Sequence, residues 1–284
     1  MTAILNIGKW VNCSSDICRI IDLSREKRYY LSSGFNKSAK KRLMRKEYDM
    51  SDIYNSALNF WNQAFDMRDE DLKDWLTGCD TEDGWKELAS ADKLRDVIIR
   101  ELSDCKKVLD YGCGEGWAAI SLCKSGCKDV TGVDVVENAI KLAKILADAY
   151  KAGDGFKAEC VGTDWIAKEK EATYDGIFCS NVIDVLPPEV SDDIIKNIAR
   201  IATSDAKIVI SMNYFKKTES NPEKNIEVKN GIEVYVNGVL RLVTRTDEEW
   251  SERFSKYFEV EKIDYFAWPG EDEETRRIFI MKKK

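Results

Sequence analysis

Three glycines at alternating positions, Gly112, Gly114 and Gly116, follow directly on a predicted buried strand that carries Asp110. Glycine lets a backbone turn tightly and approach a ligand where a Cβ would collide. The helix predicted over 117–124 would point its N-terminal amides at whatever occupies that turn. The spacing therefore predicts a ligand-binding turn with an acid at its entrance.

The residue at position 117 separates two classes of ligand. A dinucleotide-binding turn needs a small residue five positions after its first glycine, because helix and strand pack closely there. Trp117 occupies that position. Nicotinamide or flavin dinucleotides are therefore disfavoured, and a nucleotide-dependent oxidoreductase is the weaker hypothesis.

Three later segments end predicted strands with polar residues. Asp134 ends a strand 24 residues after Asp110, near the spacing of an acid that binds the two hydroxyls of a ribose. The pair Asp164-Trp165 follows a third short strand. The pair Ser180-Asn181 ends a fourth. Carboxyl ends of parallel strands lie at one edge of a sheet, so these groups are predicted to meet.

The run Asp110-x-Gly112-x-Gly114-x-Gly116, followed by those three segments in order, resembles class I S-adenosylmethionine-dependent methyltransferases. The resemblance covers roughly residues 90–212. It implies S-adenosyl-L-methionine as cofactor and S-adenosyl-L-homocysteine as product, with Asp164 at the adenine amino group and Asn181 near the transferring methyl. The cofactor-binding residues that it implies are Asp110, Gly112, Cys113, Gly114, Gly116, Asp134, Val135, Thr163, Asp164, Trp165, Ser180 and Asn181.

Strands that alternate with helices predict parallel βαβ units and an α/β fold. The resemblance implies a Rossmann-like methyltransferase fold, a mostly parallel seven-stranded sheet whose last strand is antiparallel. We expect an N-terminal helical cap or substrate region over 1–89 and the cofactor-binding domain over 90–284.

An insert at 213–246 interrupts the alternation and contains the hairpin signal Asn237-Gly238. A regular hairpin would put Ile232, Val234 and Val236 on one face with Val239, Arg241 and Val243. That face would pack on the domain edge or form a wall over the substrate.

Methyl transfer from a sulfonium needs orientation and water exclusion more than an elaborate catalytic apparatus. The chain has no histidine, so the usual proton acceptor is absent. Asp184 is our candidate acceptor; a helix N-terminal charge or a solvated acid is the alternative interpretation. Its surroundings resemble a motif of quinone-pathway methyltransferases, but Val185 replaces the histidine of that motif. Without histidine or paired cysteine motifs, no metal site is predicted.

The composition, 44% hydrophobic and 33% charged residues, is typical of a soluble globular protein. We find no secretory signal and no apolar run near the ~20 residues of a membrane span. Nine cysteines without a disulfide-like rhythm predict reduced thiols and a cytoplasmic location.

One segment carries nine basic residues and one acid between Ser24 and Lys46, in a chain of net charge −7. It would bind a nucleic acid or an anionic substrate, or only balance the acidity of its own fold. The favoured function is methyl transfer to a small molecule. The alternatives are a methyltransferase that acts on nucleic acid or protein through residues 24–46, and a non-catalytic S-adenosylmethionine-binding protein.

Overall fold

The structure is a computed structural model and describes residues 50–66, Leu72, Leu76 and 81–284. The basic segment 24–46 lies outside the described residues, as does most of the predicted N-terminal cap. The division into a cap over 1–89 and a domain over 90–284 therefore stays a prediction.

Helices and strands alternate through the described part of the chain, as the sequence pattern predicts. The strands are β1 (Val108–Tyr111), β2 (Val130–Asp134), β3 (Phe156–Cys160), β4 (Tyr174–Ser180), β5 (Ala202–Met212), β6 (Ile226–Lys229), β7 (Glu233–Val236), β8 (Val239–Val243), β9 (Phe258–Phe266) and β10 (Arg276–Lys283). The α-helices are α1 (Met50–Ala64), α2 (Asp92–Leu102), α3 (Trp117–Lys124), α4 (Glu137–Ala149), α5 (Trp165–Lys168), α6 (Pro188–Ile201) and α7 (Asp247–Phe254). Across these ranges, no helix combines the length and the apolar character that crossing a membrane requires.

Seven strands form one sheet in the order β3-β2-β1-β4-β5-β10-β9. The first five are parallel, and β10 runs antiparallel to both β5 and β9. This is the sheet that the resemblance implies. Strand order reverses between β1 and β4, so the loops that leave these two strands diverge and open a crevice at the carboxyl edge.

Helices cover both faces of the sheet. On one face, α2 and α3 pack around Leu94, Ile98 and Phe178. On the other, α5, α6 and α7 pack around a core that includes Trp250 and Phe254. Each fully buried side chain of this size contributes about 1.5–3 kcal/mol of transfer free energy. The two layers make the sheet a rigid support for its edge loops.

The glycine turn after β1 is shaped by a neighbouring loop. Gly112 has φ +75°, and a Cβ built on it would lie 2.3 Å from Cγ2 of Val182. Val182 belongs to the loop that follows β4. The turns after β1 and β4 therefore touch, and only glycine permits that approach at position 112.

The insert contains the predicted hairpin, β7 and β8, and a third strand, β6, that the sequence analysis missed. Asn237 and Gly238 both have positive φ, as a tight hairpin turn requires. The predicted face was only partly right: Val234 and Val236 share a face, but Ile232 and Val243 do not join them. Tyr235 pairs with Leu240 and Val234 with Leu242, which leaves Arg241 as a bulge.

A one-residue bulge moves every later side chain to the opposite face. Val234 and Val236 consequently pack with Ile226, Val228 and Leu242. Ile232 and Val243, expected beside Val234, pack on the other face with Tyr235 and Leu240.

The last turns of helix α1 contact both the insert and α4. The guanidinium of Arg241 lies 3.4 Å from the ring centroid of Phe60, a cation–π contact. Two residues further on, the carbonyl of Asn62 accepts from Asn138 Nδ2 at 3.1 Å. The Phe65 ring lies beside Gly114, 3.4 Å from where a Cβ would stand. The N-terminal segment thus covers the glycine turn.

We predict that Gly112→Ala destabilises the fold by about 2–5 kcal/mol. The positive φ costs roughly 1–2 kcal/mol for any L residue, and the contact with Val182 adds an overpacking cost of about 1–3 kcal/mol. Urea unfolding measures the change. Gly231→Ala is the matched control, because Gly231 has φ +76° with nothing near its Cβ position. Equal losses in the two variants would contradict the contact with Val182.

Candidate functional site

The glycine turn is fixed to the neighbouring strand by its own backbone. The amides of Gly112 and Cys113 both donate to the carbonyl of Val133, at 2.8 and 3.0 Å. The turn also leads straight into α3, whose first residue is Trp117. The backbone of the turn is therefore fixed in position, and no side chain covers it at the three glycine positions.

Asp134, at the end of β2, ties this turn to the start of α4. Its Oδ2 accepts from the amide of Gly114 at 3.0 Å, and its Oδ1 accepts from the amide of Val136 at 2.9 Å. Burial raises the pKa of this carboxyl, while those two N–H groups act in the opposite direction. Each oxygen retains a lone pair for a ligand hydroxyl.

Asp110, at the end of β1, is buried with part of its hydrogen-bonding capacity unused. The side chain is 2% exposed, and Oδ2 has no hydrogen-bond partner. Burial raises the pKa of Asp110 to about 8; the amide of Ala119 opposes this shift, and the charges of Asp134 and Glu115 add to it. A buried oxygen without a partner is unfavourable unless a ligand supplies the partner.

Glu115 is the third acid of the site and was missed in the sequence analysis. Burial and the charge of Asp134 raise its pKa to about 7. The sequence feature that could have identified Glu115 is its position inside the turn, between Gly114 and Gly116. No lysine or arginine in the described ranges forms an ion pair with Asp110, Glu115 or Asp134.

These three acids surround the turn without converging on one point. Among the residues that the structure describes, no three carboxylate, thiol or imidazole groups are placed to hold a metal ion. An extended ligand with positive charge suits this distribution better than a single ion does.

The predicted adenine end is only partly assembled. The Trp165 and Tyr111 rings stack with centroids 6.5 Å apart and an angle of 24° between planes. Asp164 is 64% exposed and pairs with Lys168, which lowers its carboxyl pKa. Thr163 is exposed as well, while Val135 is half-buried. A contact of Asp164 with an adenine therefore stays a prediction.

Asn181 supplies a second unpartnered oxygen at the same edge. Its φ is +52°, a left-handed conformation that asparagine tolerates better than most residues. Its backbone N–H donates to the carbonyl of Ser211 at 2.9 Å, and its side-chain Nδ2 lies 3.4 Å from Oγ of Ser180. Its side-chain Oδ1 is buried and has no hydrogen-bond partner. The following residue, Val182, contacts the glycine turn at Gly112.

Asp184 does not face the crevice. It is 0% exposed, and Oδ2 accepts from the backbone amide and the side-chain Nδ2 of Asn213, at 2.8 and 2.9 Å. Burial raises its carboxyl pKa. This geometry argues against the predicted role as proton acceptor and also against a solvated acid. The carboxylate holds the end of β5 against the loop after β4.

Asn213 is the centre of a buried polar network that the sequence analysis also missed. Its Oδ1 accepts from Nη1 of Arg276 at 2.6 Å, and its carbonyl accepts from Nε of Arg277 at 2.8 Å. Arg276 pairs in turn with Glu271 at 2.7 Å. The sequence feature that could have indicated this network is the pair of consecutive arginines at the start of an apolar strand. In this network, the charged side chains find their hydrogen-bond partners within the chain itself.

Residues 108–205 match the family model described as a methyltransferase domain. The chain is 30% identical over 106 residues to the ubiquinone biosynthesis O-methyltransferase of Idiomarina loihiensis, over 37% of this chain and 42% of that protein. It is 28% identical over 156 residues to the enzyme of the same name from Nitrosomonas europaea, over 55% and 60%. The chain thus spans about two fifths to three fifths of these curated relatives.

Solved structures agree on the fold. The 1,6-didemethyltoxoflavin-N1-methyltransferase of Burkholderia thailandensis, solved with its substrate and S-adenosylhomocysteine, superposes with a TM-score of 0.56 at 15% identity, over 89% of this chain and 93% of that one. An S-adenosylmethionine-dependent methyltransferase from Mesorhizobium loti gives 0.51 at 14% identity, over 69% and 98%.

For Asp184, we predict that Asp184→Ala lowers the free energy of unfolding by about 1–3 kcal/mol, because two buried donors of Asn213 lose their acceptor. Asp184→Asn should cost less, since it keeps an oxygen for them. Chemical denaturation measures both. Asp154→Ala, at an exposed acid, should change stability by less than about 0.5 kcal/mol. Full stability of Asp184→Ala would refute the anchoring role.

Proposed function

We propose, on the premise that residues 108–205 form a methyltransferase domain of the class I, Rossmann-like fold, that this chain transfers a methyl group from S-adenosylmethionine to a small-molecule acceptor. The observation that carries the proposal is the buried Oδ2 of Asp110, which has no hydrogen-bond partner. Three acids lie at the adjoining glycine turn, and none of them forms an ion pair with a basic residue of the described part of the chain. S-adenosylmethionine brings an ammonium and a sulfonium, and both are positively charged.

The residues present fit the methionine and ribose parts of that cofactor. Asp110 would accept from the ammonium, and the glycine turn would let the methionine chain approach the backbone. Asp134 would bind the ribose hydroxyls with the lone pairs that Gly114 and Val136 leave free. The ring of Trp165 would lie at the adenine end, where it already stacks on Tyr111.

The bound cofactor supplies an electrophilic methyl group, and the protein contributes orientation and water exclusion. Phe65, the residue after α1, lies beside Gly114, and Arg241 of the insert contacts Phe60 of α1, so both segments would help to exclude water. Asn181 would stand at the acceptor side, where its buried Oδ1 can accept from a substrate hydroxyl or amine.

A hydroxyl is the first acceptor group to test, because the curated relatives are named as O-methyltransferases. Asp184 is occupied by Asn213, and the chain has no histidine. We therefore favour acceptors that lose a proton readily, such as phenols.

We place the protein in the cytoplasm, since the six cysteines within the described residues are all free thiols.

Calorimetry with S-adenosylmethionine and S-adenosylhomocysteine tests the cofactor, and methyl-labelled S-adenosylmethionine with a panel of phenols tests transfer. We expect Asp134→Ala to weaken binding of both nucleosides by about 1–3 kcal/mol through lost charge-assisted hydrogen bonds. Asp129→Ala is the control, an acid at the opposite end of β2 that pairs with Lys157.

If the folded wild-type chain binds neither nucleoside, the proposal is wrong. If it binds both but labels no phenol, amine, thiol or larger acceptor, the chain is a binding protein rather than an enzyme. Unchanged affinity of Asp134→Ala would place the ribose elsewhere.

The affinity for S-adenosylmethionine should rise with pH between about 6 and 7.5. Asp110 has a pKa raised to about 8 in the free chain, so it is mostly protonated in that range. A bound cation favours the ionised carboxylate, so binding releases a proton and strengthens as pH rises, by at most about tenfold per pH unit. Calorimetry in buffers of different ionisation enthalpy counts the protons. Asp110→Asn should bind more weakly and with a smaller pH slope; an unchanged slope would exclude Asp110 as the titrating group.

A further inference from the structure

The end of helix α1 is held at two separate places. On the side of the insert, the guanidinium of Arg241 lies 3.4 Å from the ring centroid of Phe60. On the other side Phe65, the residue after α1, packs against an apolar cluster that includes Ile120 of α3 and Leu142 of α4. The end of α1 therefore connects the insert with the helices that follow β1 and β2.

One continuous helical turn joins these two supports. The backbone N–H of Phe65 donates to the carbonyl of Trp61 at 3.1 Å, so the helical pattern continues from Phe60 to Phe65. Five residues of helix advance by about 7.5 Å along the axis. The ring of Phe65 lies 3.4 Å from where a Cβ on Gly114 would stand. A movement of Phe60 away from the insert would therefore move Phe65 relative to the glycine turn.

The bulge in β8 brings Arg241 to this helix. The pairing of β7 with β8 shifts between Val234 and Tyr235, which leaves Arg241 outside the regular pairs, and a bulge gives a side chain a new direction. The guanidinium lies 5.8 Å from the ring centroid of Trp61 as well, and the rings of Phe60 and Trp61 meet edge to face with centroids 5.3 Å apart. One cation thus contacts two adjacent rings of α1.

We propose that Arg241 is a positioning residue that holds the end of α1 against the glycine turn and thereby sets the rate at which the cofactor enters and leaves. This inference rests on the proposed function and deepens it, since the glycine turn is the proposed place of the methionine chain. Arg241 acts through Phe60 rather than on the cofactor itself. Opening of the contact between Arg241 and Phe60 frees α1 to move Phe65 away from Gly114.

This role has a kinetic signature that a binding contact lacks. The contacts at both supports join protein groups only, so they hold α1 in the same way with or without a bound nucleoside. Loosening one of them speeds entry and exit by the same factor, as for a gate. The dissociation constant is the ratio of the two rate constants and stays unchanged. Loss of a direct contact with the cofactor would instead raise the dissociation constant.

Stopped-flow fluorescence with S-adenosylhomocysteine and the full chain measures both rate constants. Arg241→Met keeps a long apolar side chain and removes the charge. It should raise both rate constants by at least about threefold, the effect of one cation–π contact, and change the dissociation constant by less than about twofold. Arg241→Lys, which keeps a cation, should restore most of the wild-type behaviour. Lys229→Met is the matched control, because Lys229 lies 4.3 Å from the ring centroid of Tyr235 within the same insert; it should leave both rate constants unchanged.

A second variant tests the same contact from the side of the helix. Phe60→Leu keeps the apolar bulk and removes the aromatic face, so it should reproduce the effect of Arg241→Met. The double variant should then be no faster than either single one, because both remove one interaction. If a thermal melt shows that Arg241→Met is unfolded, Phe60→Leu decides alone.

The outcomes separate this inference from the proposed function. A folded wild type that binds no nucleoside refutes both. Normal binding with unchanged rate constants in Arg241→Met and Phe60→Leu refutes the role of Arg241 alone. A raised dissociation constant with an unchanged association rate assigns Arg241 to the binding surface, and that result also overturns the proposed role.

Discussion

Three acids lie at the glycine turn, and no lysine or arginine of the described residues forms an ion pair with any of them. An ionised carboxylate out of water costs several kcal/mol unless it is paired. Asp110 lessens this cost in the free chain by holding its proton, since its pKa is raised to about 8. No ion pair with a lysine or arginine of the described residues supplies the pairing charge. Three glycines keep the backbone accessible, and Asp134 fixes it to β2 and α4.

A second group of buried charges shows the contrast. Asp184, Asn213, Arg276 and Glu271 form a chain of hydrogen bonds in which donors meet acceptors. This network holds the loop after β4, the end of β5 and the start of β10 together. The same loop carries Val182, which touches the glycine turn. The hydrogen-bonded network thus connects the two turns, while Oδ2 of Asp110 stays without a partner beside it.

Much of the fold could be predicted from local pattern. The bounds of α3 agree with the sequence expectation, and the parallel strands alternate with helices as predicted. The insert shows where this reasoning failed. A single bulge at Arg241 reversed the faces of later residues, and periodicity carries no information about a bulge. Arg241 contacts Phe60, a residue far away in sequence.

The sequence alone determined the order of strands and helices, the glycine turn and the acids at the strand ends, because each depends on neighbours along the chain. Tertiary structure decided which acids have partners. Asp184 and Asp110 both follow or end buried strands, yet Asp184 accepts two hydrogen bonds from Asn213, whereas among the described residues only the amide of Ala119 lowers the pKa of Asp110. The raised pKa of Glu115 likewise depends on burial and on the charge of Asp134, which belongs to another strand end. Electrostatic effects depend on distance and burial in space, and neither can be read from spacing in sequence.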